Sequence, residues 1–276
     1  MIVTVCADKG SPGVTTLATA LAMAWPGERL VLEADPSGGD LAFRARQPGG
    51  GLLAGDPSVL TLAADARTGL PDGVFARYAQ ATTWGVPVIQ GAPGAAGFAP
   101  ARNLWPAVAA EAARWPGTVI ADLGRLQPGN AALPVAKAST AVLVLARVSV
   151  ESLFHLRERI GDLAAAVGDP SRARNPVAVV VSARRKDSAG AVRQVTRMLE
   201  AVGSPIPVAG VFAEDAAAAR ELAAGEMTRR LTGSDLLRSA GELATVVRAW
   251  WPHLAGSGPS GGPSGWEPSI APEVAR

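Results

Sequence analysis

The chain has few of the residues that build disulfides, metal centres and strongly charged surfaces. It contains one cysteine and two isolated histidines, His155 and His253, which excludes an internal disulfide and a multi-cysteine zinc site. The single cysteine, Cys6, lies in the apolar run IVTVCA (2–7) and is predicted to be a buried packing residue. A formal net charge of +2 over 276 residues is too small for a dedicated nucleic-acid-binding protein.

Long apolar runs and targeting signals are also missing. No apolar run has the length of a membrane-spanning helix. The N-terminal residues lack the charged segment, apolar segment and cleavage site of a secretory signal. We therefore expect a cytoplasmic protein without an integral membrane segment, which a partner could recruit to the membrane or the cell pole.

Lysine is the rarest of the common charged residues in this chain. It occurs only at Lys9, Lys137 and Lys186, while arginine is abundant. Because the chain almost always uses arginine as its cation, the presence of Lys9 in a glycine-rich segment indicates a function for that residue.

Short β-branched runs alternate with longer segments rich in alanine and leucine, and this alternation predicts the fold. Continuous apolar runs predict strands that are covered on both faces, at 2–7, 29–34, 86–91, 118–123, 140–146, 177–183 and 206–212. Helical patterns lie at 15–25, 58–66, 104–114, 150–167, 189–202, 215–224 and 234–251. Such alternation implies right-handed crossovers. We predict a doubly wound α/β domain over 1–254 with a mostly parallel sheet of about seven strands. The Gly/Pro/Ser-rich segment 255–276 is predicted to be a disordered tail.

The stretch DKGSPGVTT follows the first predicted strand and opens the first predicted helix. Its glycines and threonines fit the frame of a phosphate-binding loop, GxxxxGK[ST]. Backbone N–H groups of such a loop converge on a phosphate, and the helix N-terminus adds its dipole. A hydroxyl at Thr15 is placed to bind Mg²⁺. A strand–helix turn that binds no ligand is the alternative interpretation.

Two further stretches strengthen the interpretation of DKGSPGVTT as a phosphate-binding loop. EADPSGGDL follows the second predicted strand, and the fourth predicted strand ends in VIAD. In these stretches the chain resembles the ParA/MinD family of deviant P-loop ATPases, in particular its CpaE/TadZ-like branch, with a degenerate Walker A loop. The resemblance continues through AVLVLARVSVESLFHLRERI and VAGVFAED (208–215) and covers roughly residues 1–225.

The resemblance implies a role for each matching residue. Lys9 would be the signature lysine, which reaches the nucleotide of a partner subunit across a homodimer. The remaining nucleotide contacts would come from Gly10, Ser11, Pro12, Gly13, Val14, Thr15, Thr16, Ser182 and Asp215. Thr15, Asp35 and Asp122 would hold Mg²⁺ directly or through its water shell. Lys9, Glu33 and Asp35 are the candidate catalytic residues, and the implied ligands are ATP or ADP with Mg²⁺.

The chain also departs from the family pattern at five positions near the nucleotide. Ser11 stands where the family has its second glycine, and Val14 stands where it has the loop lysine. Glu33 replaces the acid that positions the attacking water. Ser182 replaces the asparagine that reads adenine, and Ala213 replaces a proline.

The missing loop lysine has a larger effect on catalysis than on binding. A hydrogen bond to a charged group contributes roughly 1.5–3 kcal/mol, so its loss weakens binding by about ten- to a hundredfold. The lysine also offsets the charge that develops in the transition state. We therefore expect a nucleotide-binding protein that is at most a slow ATPase.

Two surface features have a functional and a structural interpretation. ARRKD (183–187), followed by Arg193 and Arg197, forms a small basic patch whose Arg184, Arg185 and Lys186 could contact DNA phosphates. A solvated helix face is the favoured interpretation. The last predicted helix has an apolar stripe but no basic excess for anionic lipid, so we expect it to pack against the sheet.

Three functions fit these observations. The first is a dimeric MinD/ParA-like organiser that binds nucleotide and hydrolyses it weakly or not at all, with protein partners in a pilus or secretion apparatus. The second is an active partition ATPase with a partition-system partner. The third is a nucleotide-free adaptor that uses the same dimer face. Val14 and Glu33 argue against the second, while Lys9, Thr15 and Asp122 argue against the third.

Overall fold

The core of the protein is a seven-stranded sheet in which every neighbouring pair of strands is parallel. The computed structural model describes residues 1–8, 13–127, 129–168 and 175–251. The strands run in the order β3-β2-β4-β1-β5-β6-β7. Their bounds are β1 (Ile2–Ala7), β2 (Arg29–Glu33), β3 (Val88–Ile89), β4 (Thr118–Arg125), β5 (Ala141–Arg147), β6 (Val177–Ala183) and β7 (Val208–Ala213). The predicted fold class is confirmed.

Helices cover both faces of the sheet. They are α1 (Val14–Ala24), α2 (Leu41–Arg44), α3 (Val59–Ala66), α4 (Ala95–Phe98), α5 (Trp105–Arg114), α6 (Leu133–Ala138), α7 (Val150–Val167), α8 (Ser188–Ala201), α9 (Ala216–Ala223), α10 (Arg229–Thr232) and α11 (Asp235–Trp250). Each helix predicted from the sequence is present. The four that were not predicted, α2, α4, α6 and α10, have four to six residues, which is too short for a helical period to be visible.

The third strand is much shorter than its predicted range, 86–91. Only Val88–Ile89 pairs with β2. Pro87 has no N–H to donate to a ladder, and the N–H of Gly91 is donated to the side chain of Glu33 instead. The N–H groups at the two ends of the run are thus missing or engaged elsewhere, although the Pro87 carbonyl still accepts a hydrogen bond from Val31 N at 2.9 Å.

Two hydrophobic cores, one on each face, hold the sheet between the helices. Alternate residues of a strand point to opposite faces. In β4, Val119, Ala121 and Leu123 contribute to the core under α5 and α7. Ile120 contributes to the opposite core, which α1 and α11 cover. Asp122 therefore points to the face that carries α1.

Cys6 and the last helix behave as predicted. Cys6 is fully buried, and its burial raises the pKa of its thiol, so it is a packing residue. Leu236, Ala240, Leu243 and Val247 are buried along one side of α11, which packs on α1 and β7. The predicted tail, 255–276, and His253 lie outside the described residues.

The strand order places one end of the sheet in position to bind a ligand. From β1 the chain moves to β2 and β3, returns to β4 between β2 and β1, and then continues to β5 on the other side of β1. Open α/β sheets bind ligands outside the carboxyl ends of their strands, at the point where the strand order reverses. Here that point lies at the carboxyl ends of β1 and β4.

Candidate functional site

The N-terminus of α1 lies at this switch point. Gly13 precedes the helix with φ of 100°, a left-handed conformation that glycine adopts without strain. Its N-cap residue, Gly13, has no side chain that could cap the helix, and the first turn has no acidic residue. Among the described residues, none occupies the N–H groups of this turn, which can therefore bind an anion. Lys9, Gly10, Ser11 and Pro12 lie outside the described residues, so their roles remain predictions.

The side chain at the position of the family's loop lysine belongs to the hydrophobic core. Val14 is 1% exposed and packs with Leu17 and Leu21 on the α1 side of the sheet. Thr15 and Thr16, the next two residues, are partly exposed. The first turn of α1 thus offers two hydroxyl groups but no cation.

Asp122 is a buried carboxylate beside this turn. It is 1% exposed, and its Oδ1 accepts a hydrogen bond from Gly124 N at 3.0 Å. Thr15 approaches closely enough to favour the ionised carboxylate, but no hydrogen bond of normal geometry reaches Asp122 Oδ2 from any described residue. Burial raises the pKa of Asp122 to about 6, with Asp35 adding to the rise and Thr15 opposing it.

Glu33 lies next to Asp122, because the two residues are register partners in β2 and β4. Its Oε1 accepts hydrogen bonds from Asp40 N at 2.7 Å and Leu41 N at 2.9 Å, and its Oε2 accepts one from Gly91 N at 2.7 Å. Burial, and then the charge of Asp122, raise the pKa of Glu33 to about 7, although the three amides oppose the rise. The carboxylate joins the loop after β2 to the end of β3.

This anchoring of Glu33 was not among the predictions from the sequence. The signal for it is the pair of glycines in PSGGD, together with the glycine that follows β3. A Cβ atom on Gly39 would lie 2.2 Å from Glu33 Oε2, and one on Gly91 would lie 3.0 Å from it. Both glycines therefore permit the backbone to approach the carboxylate. The predicted catalytic role of Glu33 stays a prediction.

Asp35 reaches the same end of the sheet from the loop after β2. Its Oδ1 accepts a hydrogen bond from Ser37 N at 2.8 Å, and burial raises its pKa. Gly124 has φ of +56°, and a Cβ atom at that position would lie 1.8 Å from Asp35 Oδ2. Glycine at 124 thus lets Asp35 pack against the end of β4, so Thr15, Asp35 and Asp122 occupy one neighbourhood.

Ser182 and Asp215 lie further along the same edge. Ser182 is near the end of β6, and its Oγ donates to Glu214 Oε1 at 3.0 Å. Asp215 caps α9, because its Oδ1 accepts from Ala217 N and Ala218 N at 3.2 and 3.0 Å. Each side chain already has a partner within the protein. Their predicted nucleotide contacts remain predictions.

The residues present fit a magnesium nucleotide. An uncapped helix N-terminus suits phosphate oxygens, while a hydroxyl and two carboxylates suit Mg²⁺. Asp122 Oδ2 is buried without a hydrogen-bond partner among the described residues, as is expected of an atom that completes its contacts through a metal or its water. Those residues include no cluster of three or more His, Cys, Asp or Glu side chains that could hold a metal. In such a site, water and phosphate oxygens would supply the remaining Mg²⁺ ligands.

A polar network that the sequence analysis missed lies beside the start of the loop. Arg125, the last residue of β4, is paired in register with Ala7, and its Nε donates to the Asp8 carbonyl at 2.9 Å. Arg159 Nη1 lies 3.2 Å from Asp8 Oδ1. With its amide oriented to satisfy these donors, Gln127 accepts from Arg125 Nε at 2.8 Å and Arg159 Nη1 at 3.2 Å. Two arginines thus flank the residue that precedes Lys9.

The basic patch after β6 is partly neutralised by its own neighbours. Arg184 pairs with Asp187 at 2.7 Å, and Arg185 pairs with Glu242 at 3.1 Å. Both pairs are exposed and contribute little stability. They leave Lys186 as the uncompensated cation of the triplet, which favours the interpretation as a solvated helix face.

None of the helices in the described part of the chain is both long and apolar enough to cross a bilayer.

No protein-family model and no curated protein matches the chain in sequence. Solved structures match it in fold. MinD, a cell division ATPase of Pyrococcus furiosus, aligns with a TM-score of 0.67 and 16% identity over 90% of this chain and 98% of that chain. MinD from Pyrococcus horikoshii, complexed with Mg-ADP, aligns with a TM-score of 0.65 and 15% identity over 92% of this chain and 98% of that chain. A Cyanothece McdA variant in complex with ATP aligns with a TM-score of 0.62 and 17% identity over 91% of this chain and 96% of that chain. At these identities the likeness establishes the fold, and the chain has the doubly wound fold of the ParA/MinD ATPases.

Proposed function

We propose that the protein is a ParA/MinD-like nucleotide-binding protein that binds ATP or ADP with Mg²⁺ and hydrolyses ATP slowly or not at all. The observation that carries this proposal is the pairing of an uncapped helix with a buried acid. The N-cap residue of α1, Gly13, provides no side-chain cap, and Asp122 beside it has an oxygen without a hydrogen-bond partner in the described residues. A phosphate group and its Mg²⁺ would satisfy both features.

Each residue has a defined part in binding. The N–H groups that follow Gly13 would contact phosphate oxygens. Thr15 would offer its hydroxyl to the metal, while Asp122 and Asp35 would orient the metal's water. When bound, Mg²⁺ supplies positive charge that offsets the charge of the phosphates.

Slow hydrolysis is expected from two residues that would lie near the phosphates, Val14 and Glu33. Val14 is packed in the core and cannot supply the charge that a loop lysine supplies. Glu33, the last residue of β2, occupies the position of the family's first acid, but its two oxygens already accept three backbone hydrogen bonds. A carboxylate so engaged has little capacity left to orient a water molecule.

We further propose that nucleotide controls the assembly of two copies, and that the protein acts as an organiser in the CpaE/TadZ manner for a pilus or secretion apparatus. The proposal of a dimer rests on the resemblance around Lys9, and the proposal of an apparatus rests on the branch of the family that the loop resembles. Two complementary copies would enclose their nucleotides at the carboxyl end of the sheet.

Light scattering of the full chain tests the dimer. We expect wild type to shift from monomer to dimer when Mg-ATP is added, and the Lys9→Ala variant to remain monomeric, because that lysine would contact the partner's nucleotide. Lys137→Ala is the matched control and should dimerise like wild type. A wild type whose mass is the same with and without Mg-ATP would contradict the nucleotide-controlled dimer.

A further inference from the structure

The described part of the site has an excess of negative charge. The charge of Asp122 adds to the raised pKa of Glu33, and the charge of Asp35 adds to the raised pKa of Asp122, after burial as the main cause in each case. The helix that faces them, α1, has no charged residue in its sequence VTTLATALAMA. A triphosphate would bring further negative charge to this end of the sheet. A protein that binds nucleotide here needs at least one cation besides the metal.

Two described arginines lie near this end of the sheet, and one of them, Arg44, acts on Asp122 but is already paired with Asp40. Arg125 is the other. It follows Asp122 by three residues on β4 and lies beside Ala7, the last residue of β1. Its side chain is exposed and is directed by the Asp8 carbonyl, which accepts from Nε at 2.9 Å. The guanidinium is thereby held beside Asp8, the last described residue before Lys9.

The charge of Arg125 is not cancelled by a carboxylate. The acid of the network, Asp8, is paired through its side chain with Arg159, while Arg125 contacts only its carbonyl oxygen. Gln127, the other acceptor, is neutral. No described acid forms an ion pair with Arg125, so it retains a full charge that is available to an anion.

There is also space for an anion beside it. A cavity of about 520 Å³ is lined by Ser37, Arg102, Arg125 and Asn130, among others. It adjoins the loop that carries Asp35, and its lining combines the guanidinium groups of Arg102 and Arg125 and the Ser37 hydroxyl with apolar residues such as Phe98. Two guanidinium groups and a hydroxyl can donate hydrogen bonds to phosphate oxygens.

We propose that Arg125 binds the phosphate groups of the nucleotide and supplies the positive charge that Val14 does not. This inference rests on the proposed function. It assigns the cation of the site to β4 of the same chain, whereas Lys9 would serve the nucleotide of a partner. A guanidinium suits this task because it offers several fixed donors to phosphate oxygens.

Calorimetric titration of three variants tests the assignment. Arg125→Gln keeps an N–H donor for the Asp8 carbonyl but removes the charge, and we expect it to weaken Mg-ATP binding by about ten- to a hundredfold. Arg125→Lys keeps the charge and should weaken binding less. Arg67→Ala, which removes an exposed arginine at the end of α3, is the control and should bind like wild type.

Two further readouts separate phosphate binding from a structural role. Adenosine has no phosphate, so its affinity should be equal in wild type and Arg125→Gln. The apo proteins should unfold at the same temperature. Equal Mg-ATP affinity of wild type and Arg125→Gln would overturn the inference while leaving the proposed function standing. A wild type that binds no nucleotide would overturn both.

Discussion

Replacing Glu33 by alanine is expected to lower the free energy of unfolding by about 2–4 kcal/mol at pH 8. The substitution leaves the N–H groups of Asp40, Leu41 and Gly91 without their acceptor. A buried donor without a partner costs about 1–3 kcal/mol. Relief of the repulsion between Glu33 and Asp122 offsets part of this loss. Urea denaturation followed by circular dichroism measures the change.

Two variants control this experiment. Glu28→Ala removes an exposed acid five residues earlier and should change the free energy of unfolding by less than about 0.5 kcal/mol. Glu33→Gln keeps one acceptor oxygen, but its amide N–H₂ must face a backbone donor, so its stability should lie between those of Glu33→Ala and wild type. A Glu33→Ala protein as stable as wild type would show that the carboxylate does not hold the loop after β2.

Replacing Asp122 by asparagine is expected to have the opposite effect on the ligand-free protein. At pH 8 the native state holds Asp122 ionised and buried, and burial raises its pKa to about 6, so the charge opposes folding. An acid whose pKa is higher in the folded protein loses stability as the pH rises through that value. Removing the charge should therefore raise the free energy of unfolding by about 1–3 kcal/mol.

The same variant should lose its response to ligand. Wild type should melt at a higher temperature in Mg-ATP, because a ligand that binds only the folded state stabilises it. Asp122→Asn should show little of this shift. The control Asp72→Asn, which changes an exposed acid, should behave like wild type in both tests. An Asp122→Asn protein that is less stable than wild type without ligand would contradict the claim that the buried charge of Asp122 destabilises the ligand-free protein.

The fold could be predicted because its signals are local and repeated. Apolar β-branched runs such as VAVVVSA and IVTVCA are typical of strands that are covered on both faces, and the long helices between them carry a clear period. Side chains alternate between the two faces of a strand, and this alternation predicts which face a functional side chain points to. Asp122 follows Ala121 and precedes Leu123, whose side chains enter the core opposite α1, so the acid must face α1.

The parts that could not be predicted depend on contacts between distant residues. Gly91 donates to Glu33 across 58 positions of sequence, and Pro87 and Gly91 together shorten β3. Arg125 and Asp8 meet across 117 positions because β4 lies beside β1, an adjacency that no local pattern encodes. The burial of Val14 likewise depends on how α1 packs on the sheet.

Calorimetric titration of the full wild-type chain with ATP in the presence of Mg²⁺ tests the central claim most directly. The account predicts saturable binding in the micromolar range, with slow or absent release of phosphate during the experiment. Binding that remains undetectable at millimolar ATP would contradict it. The uncapped α1 and the unpartnered oxygen of Asp122 would then be remnants of a site, and the interpretation as a nucleotide-free adaptor would replace it.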